Sequence, residues 1–376
     1  MKTKTTGQGL QKYPFIGPDT NTPHHPWVWL NGDVIPTRRC GFSPWTHVIH
    51  YATGVISGIG FWKGWDGVYR GFRWPDHIRR LLNNLEAMGL ETSFNETDLM
   101  QALRKTSCRN LSALTEADDL YLRAFAFQGS EALGVGSRGK TNVAIVTRDL
   151  TDYLKLGTRP GATVLYPATF FRRQHPSQGF PYAKAVSNYN RGALFKGVVA
   201  QQLGITVDEV LAEAWNGDEL AETTGSNIFV VINGVVHTPR LESWCLDGIT
   251  RKTIISIARA LDIKVVDNQP VTREMLFHAD EVFLTGTWSG VVPVSEILFD
   301  LCCLEMPKKI YAENGGADFL PWLKNHFHPI PIKAPFVGET GPITAKLRKI
   351  YWRIVRGKTK IHGLKMTVPP DWHTTI

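Results

Sequence analysis

The chain has 376 residues, enough for two domains with proper cores or for one large α/β unit. Hydrophobic content of 43% and charged content of 20% exclude a disordered chain, and aromatics at 11%, with twelve tryptophans, fit an aromatic-lined pocket as well as ordinary core packing. The 42 basic and 34 acidic residues leave a net charge of +8, yet no nucleic-acid-binding motif accompanies the excess. A cluster near the C-terminal end (Lys346, Arg348, Lys349, Arg353, Arg356, Lys358, Lys360) reads as a solvated face or as attraction for anionic substrates.

Five cysteines, Cys40, Cys108, Cys245, Cys302 and Cys303, are odd in number and scattered, which points to a reducing compartment. Asn95-Glu96-Thr97 and Asn110-Leu111-Ser112 match the glycosylation triplet, but no apolar leader precedes them. No apolar run approaches membrane-spanning length. The expectation is a cytoplasmic protein with neither a membrane nor a nucleic-acid partner.

In chain order, residues 1–25 are polar and carry Pro14, Gly17, Pro18 and Pro23, so they read as an extended arm. Trp27 to Ile35 reads as a hairpin turning at Asn31-Gly32. Pro75 to Met88 places Ile78, Leu81, Leu82, Leu85 and Met88 on one helical stripe, and Glu96 to Leu103 suggests another helix. Leu120 to Phe127 and Asn142 to Thr147 read as strands. The composition changes near Asp149–Pro160, which sets the expected division: an N-terminal α/β domain over 26–155, a linker over 156–165 and a C-terminal domain over 166–376. Within the latter we expect a strand from Ala162 to Leu165 and a helix from about Asn190 to Leu203. The acidic run Glu209, Glu213, Asp218, Glu219 reads as a helix ending at Glu222. A hairpin turns at Asn233-Gly234, between Asn227–Ile232 and Val235–His237. Thr250 to Leu261 is helical by its Ile254, Ile257, Ala258 and Leu261 face, and Glu281 to Leu284 is a short strand ending in Thr285-Gly286-Thr287. Residues 302–335 read as an insertion and Gly341 to Val355 as a final helix.

Several patterns imitate other chemistries. Gly134-Val135-Gly136-Ser137-Arg138-Gly139-Lys140-Thr141 matches both the phosphate-loop and the dinucleotide patterns, but each requires a helix immediately afterwards. The residues that follow, Asn142 to Thr147, are β-branched and lack a helical stripe, so a connection between strands is the better reading. His47 and His50, like the adjoining His24 and His25, lack further ligands at metal-site spacing, and no metal is expected. No Gly-x-Ser-x-Gly turn supports a hydrolase.

The stretch from Lys184 to Phe229 carries the chemistry. Lys184-Ala185-Val186-Ser187-Asn188-Tyr189 is followed by Glu222-Thr223-Thr224-Gly225-Ser226-Asn227-Ile228-Phe229. A pyridoxal phosphate site needs a lysine amine for the Schiff base, a phenol beside the ring oxygen and a carboxylate at the pyridine nitrogen. Lys184, Tyr189 and Glu222 supply these three groups.

From about Trp27 to Gly357 the chain resembles the class IV (fold-type IV) pyridoxal-phosphate aminotransferases, and among them the branched-chain amino-acid aminotransferases, through an ordered series of motifs. The resemblance implies a two-domain α/β fold with the cofactor between a smaller N-terminal and a larger C-terminal domain. Phe72-Arg73-Trp74-Pro75-Asp76-His77-Ile78-Arg79-Arg80-Leu81 is similar to the family's Phe-Arg-x-x-x-His-x-x-Arg-Leu, which suits Arg73 to the cofactor phosphate. Leu246-Asp247-Gly248-Ile249-Thr250-Arg251 resembles the family's Pro-Gly-Ile-Thr-Arg turn, so Gly248, Ile249 and Thr250 would bind phosphate at a helix N-terminus. Gly286 and Thr287 resemble a second phosphate and carboxylate loop.

For the substrate, the resemblance suggests Tyr51 and Gly58, from a segment in which Ser57 and Gly60 stand where Glu and Arg are usual. Tyr121-Leu122-Arg123 matches the Tyr-Ile-Arg of the branched-chain group, and Phe171 begins an aromatic-x-Arg loop near the pocket. After Thr287 the family has two alanines and Glu, whereas Trp288, Ser289 and Gly290 follow here. The implied reaction is transfer of an amino group from an amino acid to a 2-oxo acid, 2-oxoglutarate being the expected acceptor, in a homodimer whose subunits close one another's sites. Related alternatives are a D-amino-acid or (R)-amine transaminase, or the lyase that makes 4-aminobenzoate. More distant ones are a phosphate-loop nucleotide-binding protein and a non-catalytic relative.

Overall fold

The computed structural model describes residues 25–111, 119–130, 132, 134–136, 139–149, 161–167, 171–199, 204–217, 219–299, 321, 330–333 and 340–375. The expected arm is therefore outside the described residues except His25, and so is most of the expected insertion. Among the described residues the strands form two sheets.

The first sheet is antiparallel and seven-stranded, in the order β16-β4-β3-β5-β6-β1-β2. Its strands are β1 (Trp27–Leu30), β2 (Asp33–Pro36), β3 (Gly54–Lys63), β4 (Tyr69–Phe72), β5 (Asp119–Gln128), β6 (Thr141–Asp149) and β16 (His373–Thr375). The β1–β2 hairpin turns at Asn31 (φ 49°) and Gly32 (φ 113°), the positive pair that a two-residue turn demands. Helices α1 (Trp74–Ala87) and α2 (Glu96–Leu111) cover this sheet. On α1 the buried face carries Ile78, Leu81 and Leu85 of the predicted stripe, with Leu82 and Met88 partly buried, and adds Trp74 and two polar residues, His77 and Asn84. Each of those aliphatic side chains contributes about 1.5–3 kcal/mol by leaving water.

The second sheet has nine strands: β7 (Ala162–Tyr166), β8 (Glu209–Glu213), β9 (Leu220–Thr223), β10 (Asn227–Ile232), β11 (Val235–His237), β12 (Val265–Val266), β13 (Glu281–Gly286), β14 (Gly290–Phe299) and β15 (Ile330–Lys333). Its order is β12-β11-β10-β13-β14-β7-β8-β9, with β15 added on β14. Helices α3 (Ile249–Ala260) and α4 (Pro342–Val355) pack together and against β13. The hairpin between β10 and β11 turns at Asn233 (φ 50°) and Gly234 (φ 76°).

Two expectations are corrected. The acidic run before Glu222 is not a helix: β8 and β9 pair antiparallel through it, because Val210, Leu211, Ala212, Leu220 and Ala221 are apolar residues that a sheet interior can bury in sequence. The helix from Asn190 stops being regular after Ala193 and widens to π geometry over Leu194–Val199. Gly192 there lies so close to Thr224 that a Cβ would press on its methyl group. The nucleotide-loop pattern at Gly134 runs straight into β6, so the helix that such a loop needs is replaced by a strand. His47 bonds Thr53 Oγ1 at 2.7 Å and Gly134 O at 3.2 Å, and His50 bonds Pro44 O at 2.8 Å.

A core of Trp62, Phe72, Tyr121, Phe229, Ile254, Phe283 and Tyr351 joins residues of both sheets and of α3 and α4. An ion pair reinforces it: Arg356, just past α4, donates both Nη atoms to Asp119 of β5 at 2.6 Å each. We propose that the chain divides near 156–165, where β7 opens the second sheet, although β16 at the far end returns to β4 of the first.

Candidate active site

A cavity of about 670 Å³ opens between the two sheets. Its wall on the side of the second sheet contains Glu222, Asn227, Leu246, Gly248, Ile249, Thr250, Thr285, Gly286, Thr287 and Trp288, and Gly58, Arg80, Tyr121 and Arg123 come from the opposite unit. The segment Lys184 to Tyr189 crosses between them and contributes Lys184, Val186, Asn188 and Tyr189.

Although Lys184 lies between β7 and β8 in sequence, the first sheet holds its backbone. Ile56 N–H of β3 donates to Lys184 O at 3.0 Å, and Val55 and Ala185 form an isolated bridge. The Lys184 Nζ lies 5.4 Å from the centre of the Tyr189 ring. Asn188 pins the turn after the lysine, since its Nδ2 donates to Phe180 O and Ala183 O at 2.9 Å each.

Glu222 is the last residue but one of β9 and is 8% exposed. Three donors converge on its carboxylate: Leu246 N at 2.9 Å and Asn227 Nδ2 at 3.3 Å on Oε2, and Arg173 Nη1 at 3.3 Å on Oε1. Arg173 is itself fixed, donating Nε to Trp244 O at 2.9 Å and Nη2 to Pro181 O at 2.6 Å. A buried carboxylate with this many donors is held in one orientation.

At another wall, α3 begins at Ile249 with Gly248 as its N-cap, and no side chain caps it. Its first backbone N–H groups lack intrahelical partners and face an anion-sized space. Arg80 lines the same cavity, and its buried Nε has no partner among the described residues. Burial lowers the Arg80 guanidinium below its usual value, while Tyr189, Asp247, Tyr121 and Glu222 pull the other way. Thr285 Oγ1 is likewise buried without a partner. A helix N-terminus, a guanidinium whose Nε is unpartnered and an unpartnered hydroxyl fit a phosphate-bearing cofactor.

Of the residues expected from sequence, Lys184, Tyr189, Glu222, Gly248, Ile249, Thr250, Gly286, Thr287, Gly58, Tyr121, Arg123 and Trp288 line this one cavity. Arg73, Tyr51 and Phe171 are not among its lining residues. Arg73 instead caps α1 with a positive φ of 53°. Its Nε donates to Asp76 at 2.6 Å and its Nη1 to Thr253 Oγ1 at 2.9 Å and Ile249 O at 3.3 Å, bonds that tie it to α1 and α3. Tyr51 packs against His47, with ring centroids 4.4 Å apart, and Phe171 against Phe195 at 5.4 Å.

Sequence reasoning missed Arg80, Arg173, Asn227 and Thr285. Arg80 had a signal in the same motif, for it sits seven residues into α1, one turn from His77 and Asn84 on a buried face. Arg173, Asn227 and Thr285 also stood in motifs, the aromatic-x-Arg loop, the Glu222–Phe229 stretch and the Thr285-Gly286-Thr287 loop, but what they touch across the fold was needed to single them out.

One wall of the cavity is aromatic. The Tyr121 and Trp288 rings meet edge to face with centroids 4.2 Å apart. Arg123 donates to the Tyr121 hydroxyl through Nη2 at 2.9 Å and Nε at 3.3 Å. Gly58 faces Arg123 across the β3–β5 ladder, and any Cβ there would overlap the Tyr121 hydroxyl.

These features define a phosphate-binding cavity with a lysine amine and a buried carboxylate, and comparison with known proteins agrees. The sequence profile described as amino-transferase class IV matches residues 62–297, and the chain belongs to that family, whose members depend on pyridoxal phosphate. It is 28% identical over 353 residues to the branched-chain-amino-acid aminotransferase of Pseudomonas aeruginosa, covering 93% of this chain and 97% of that one. With the Escherichia coli enzyme of the same name it shares 31% identity over 278 residues, covering 72% and 84%. Its fold superposes on the crystal structure of a branched-chain aminotransferase from Thermoproteus uzoniensis with norvaline (TM-score 0.72, 30% identity, 93% and 98% covered). The branched-chain amino acid aminotransferase of Thermobaculum terrenum in its PLP form gives a TM-score of 0.70 at 26% identity, with 94% and 98% covered. The chain is thus a fold-type IV aminotransferase. No helix among the described residues is long and apolar enough to cross a membrane.

Proposed function

We propose that this chain transfers the amino group of a branched-chain-like L-amino acid to 2-oxoglutarate, with pyridoxal phosphate held in the cavity between the two sheets. The observation that carries the reading is the convergence of Lys184, Tyr189 and Glu222 with the α3 N-terminus and Arg80 around one space. When bound, pyridoxal phosphate supplies an aldehyde that captures amines and a ring that withdraws electrons from the amine's α-carbon.

Each residue then has a task. Arg80, the α3 N-terminus at Gly248–Thr250, Gly286 and Thr287 bind the phosphate and fix the ring's position. Glu222, oriented by its three donors, would hold a proton at the pyridine nitrogen. Tyr189 orients the ring oxygen. Lys184 would hold the cofactor through its amine and would be the base positioned to take the proton from the substrate Cα onto its Nζ. Arg123, already turned toward the cavity wall by Tyr121, is the cation for a second carboxylate such as that of 2-oxoglutarate. Trp288 and Tyr121 give the apolar contact for an aliphatic side chain. Arg73 is assigned a structural role in place of the expected phosphate contact.

The reading includes a cytoplasmic homodimer. Supporting the dimer, the segment that carries Tyr51 also carries exposed Phe42 (46%), Trp45 (54%) and Ile49 (61%), apolar residues that a second copy would cover.

The test is an absorbance spectrum of the purified protein with pyridoxal phosphate, before and after L-leucine, with Lys184→Ala as control. The expected outcome is a visible-edge band that Lys184→Ala abolishes and that leucine bleaches. A band that leucine leaves untouched would retain the cofactor and reject the donor. No band in the wild type would sink the enzyme reading.

A further inference from the structure

Asn84 lies on the buried face of α1, one turn beyond Arg80, and is 6% exposed. A polar amide there is expensive unless both of its ends are bonded, since its neighbours Leu81 and Leu85 show that the face otherwise takes aliphatic residues. One orientation of the amide satisfies both ends. Its Nδ2 donates to Arg80 O at 3.3 Å and its Oδ1 accepts from Lys184 N–H at 3.0 Å.

The second bond is the informative one. Lys184 belongs to a segment between strands of the second sheet, yet its carbonyl accepts from Ile56 of β3 and its N–H is taken by Asn84 of α1. The lysine backbone is thus clamped from both sides by the first unit. Through the same amide, the turn of α1 that carries Arg80 is fixed relative to Lys184. Under the function proposed above, these two residues hold opposite ends of one cofactor, the phosphate and the aldehyde carbon.

We infer that Asn84 is a positioning residue, setting the spacing between Arg80 and Lys184 so that both ends of pyridoxal phosphate are engaged at once. This rests on the cofactor reading. It adds a residue outside the cavity lining that acts through two residues within it. A site formed by two chain segments far apart in sequence needs such a tie, because an error of an ångström in either anchor weakens both.

The test uses the full-length apoprotein and two substitutions of similar size. Asn84→Leu removes the acceptor for Lys184 N–H, and Asn84→Asp keeps it. The readouts are the equilibrium dissociation constant for pyridoxal phosphate, the pH titration of the visible band and the melting temperature without cofactor. Asn84→Leu is expected to weaken cofactor binding about tenfold or more and to shift the titration of the band. Asn84→Asp is expected to stay within about threefold of wild type. If Asn84→Leu lowers the melting temperature while leaving the dissociation constant and the titration unchanged, Asn84 is merely structural and the inference is overturned. Equal weakening by both variants overturns it as well, because the retained acceptor would then count for nothing. A wild-type apoprotein that takes up no pyridoxal phosphate is a separate result, visible in the control, and removes the function reading and the inference together.

Discussion

The two ends of the cavity are built differently. At the cofactor end, Glu222 is gripped by a backbone N–H, an amide and a guanidinium, and the lysine segment is tied to β3 and α1 through main-chain atoms. At the end we propose for the substrate, contact is made by side chains against side chains: Trp288 on Tyr121, and Arg123 on the Tyr121 hydroxyl. Bonds to main chain depend on the fold and tolerate little substitution. A wall of stacked side chains can be exchanged one residue at a time. The first kind of construction preserves a chemistry, and the second lets a chain change what it acts on while keeping that chemistry.

The sharpest way to break the comparison is at the phosphate. Arg80→Met should weaken pyridoxal phosphate binding to the apoprotein by about 100-fold, the loss expected when a buried charge-assisted pair loses its cation. Arg73→Met should leave that affinity within about threefold but cost about 1–3 kcal/mol of stability, because its bonds to Asp76 and Thr253 tie α1 to α3. Fluorescence titration with the cofactor and urea denaturation of the apoprotein separate the two. If the affinities respond in the opposite order, Arg73 is the phosphate residue after all and the cofactor end is arranged differently from this account.

A smaller effect is expected at the other end. Trp288→Ala removes half of the edge-to-face pair and opens space beside Tyr121. The ratio of kcat/KM for L-phenylalanine to that for L-leucine should rise about tenfold, the scale at which a pocket discriminates by size. Equal loss on both substrates would mean that the indole merely supports the wall, and the substrate end would then be as rigid as the cofactor end.

How much of this was legible in advance follows from where the information sits. Lys184, Tyr189, Glu222 and the Gly248–Thr250 turn announce themselves, because the chemistry needs those residue types and the family keeps their order. Both two-residue hairpins were legible as well, since Asn31-Gly32 and Asn233-Gly234 adopt the positive φ values that those pairs favour. The β8–β9 pair was not: its acidic residues suggested a solvated helix, whereas Glu213 is buried against Tyr166, Arg172 and Arg273. Partners at separations of about forty and sixty residues neutralise that carboxylate, and no local pattern reports them. Arg80 was passed over for Arg73 because the motif holds both arginines, and only the helix that starts between them decides which one faces the cavity.

The smallest expected effect concerns pH. His77 lies beneath the cofactor end, its Nδ1 3.4 Å from Ser57 Oγ, and burial, aided by Arg80, Arg73, Lys184 and Lys252, depresses its pKa well below the ordinary 6.5. The folded protein therefore keeps the imidazole neutral at a pH where the unfolded chain has already bound a proton. Where the unfolded state binds more protons, stability rises with pH. The contribution of His77 is thus fully present above about pH 6.5 and falls by about 1.4 kcal/mol per unit as the pH drops toward its lowered folded value. His237 and His373 are also depressed by burial and add slope of the same sign. The decisive comparison is between His77→Asn and wild type, read from urea midpoints between pH 5 and 7. The variant can be less stable throughout, but its profile should be shallower by one proton. Parallel profiles would mean that His77 titrates normally, and the cationic cluster around Arg80 and Lys184 would then be better screened than the burial of the site implies.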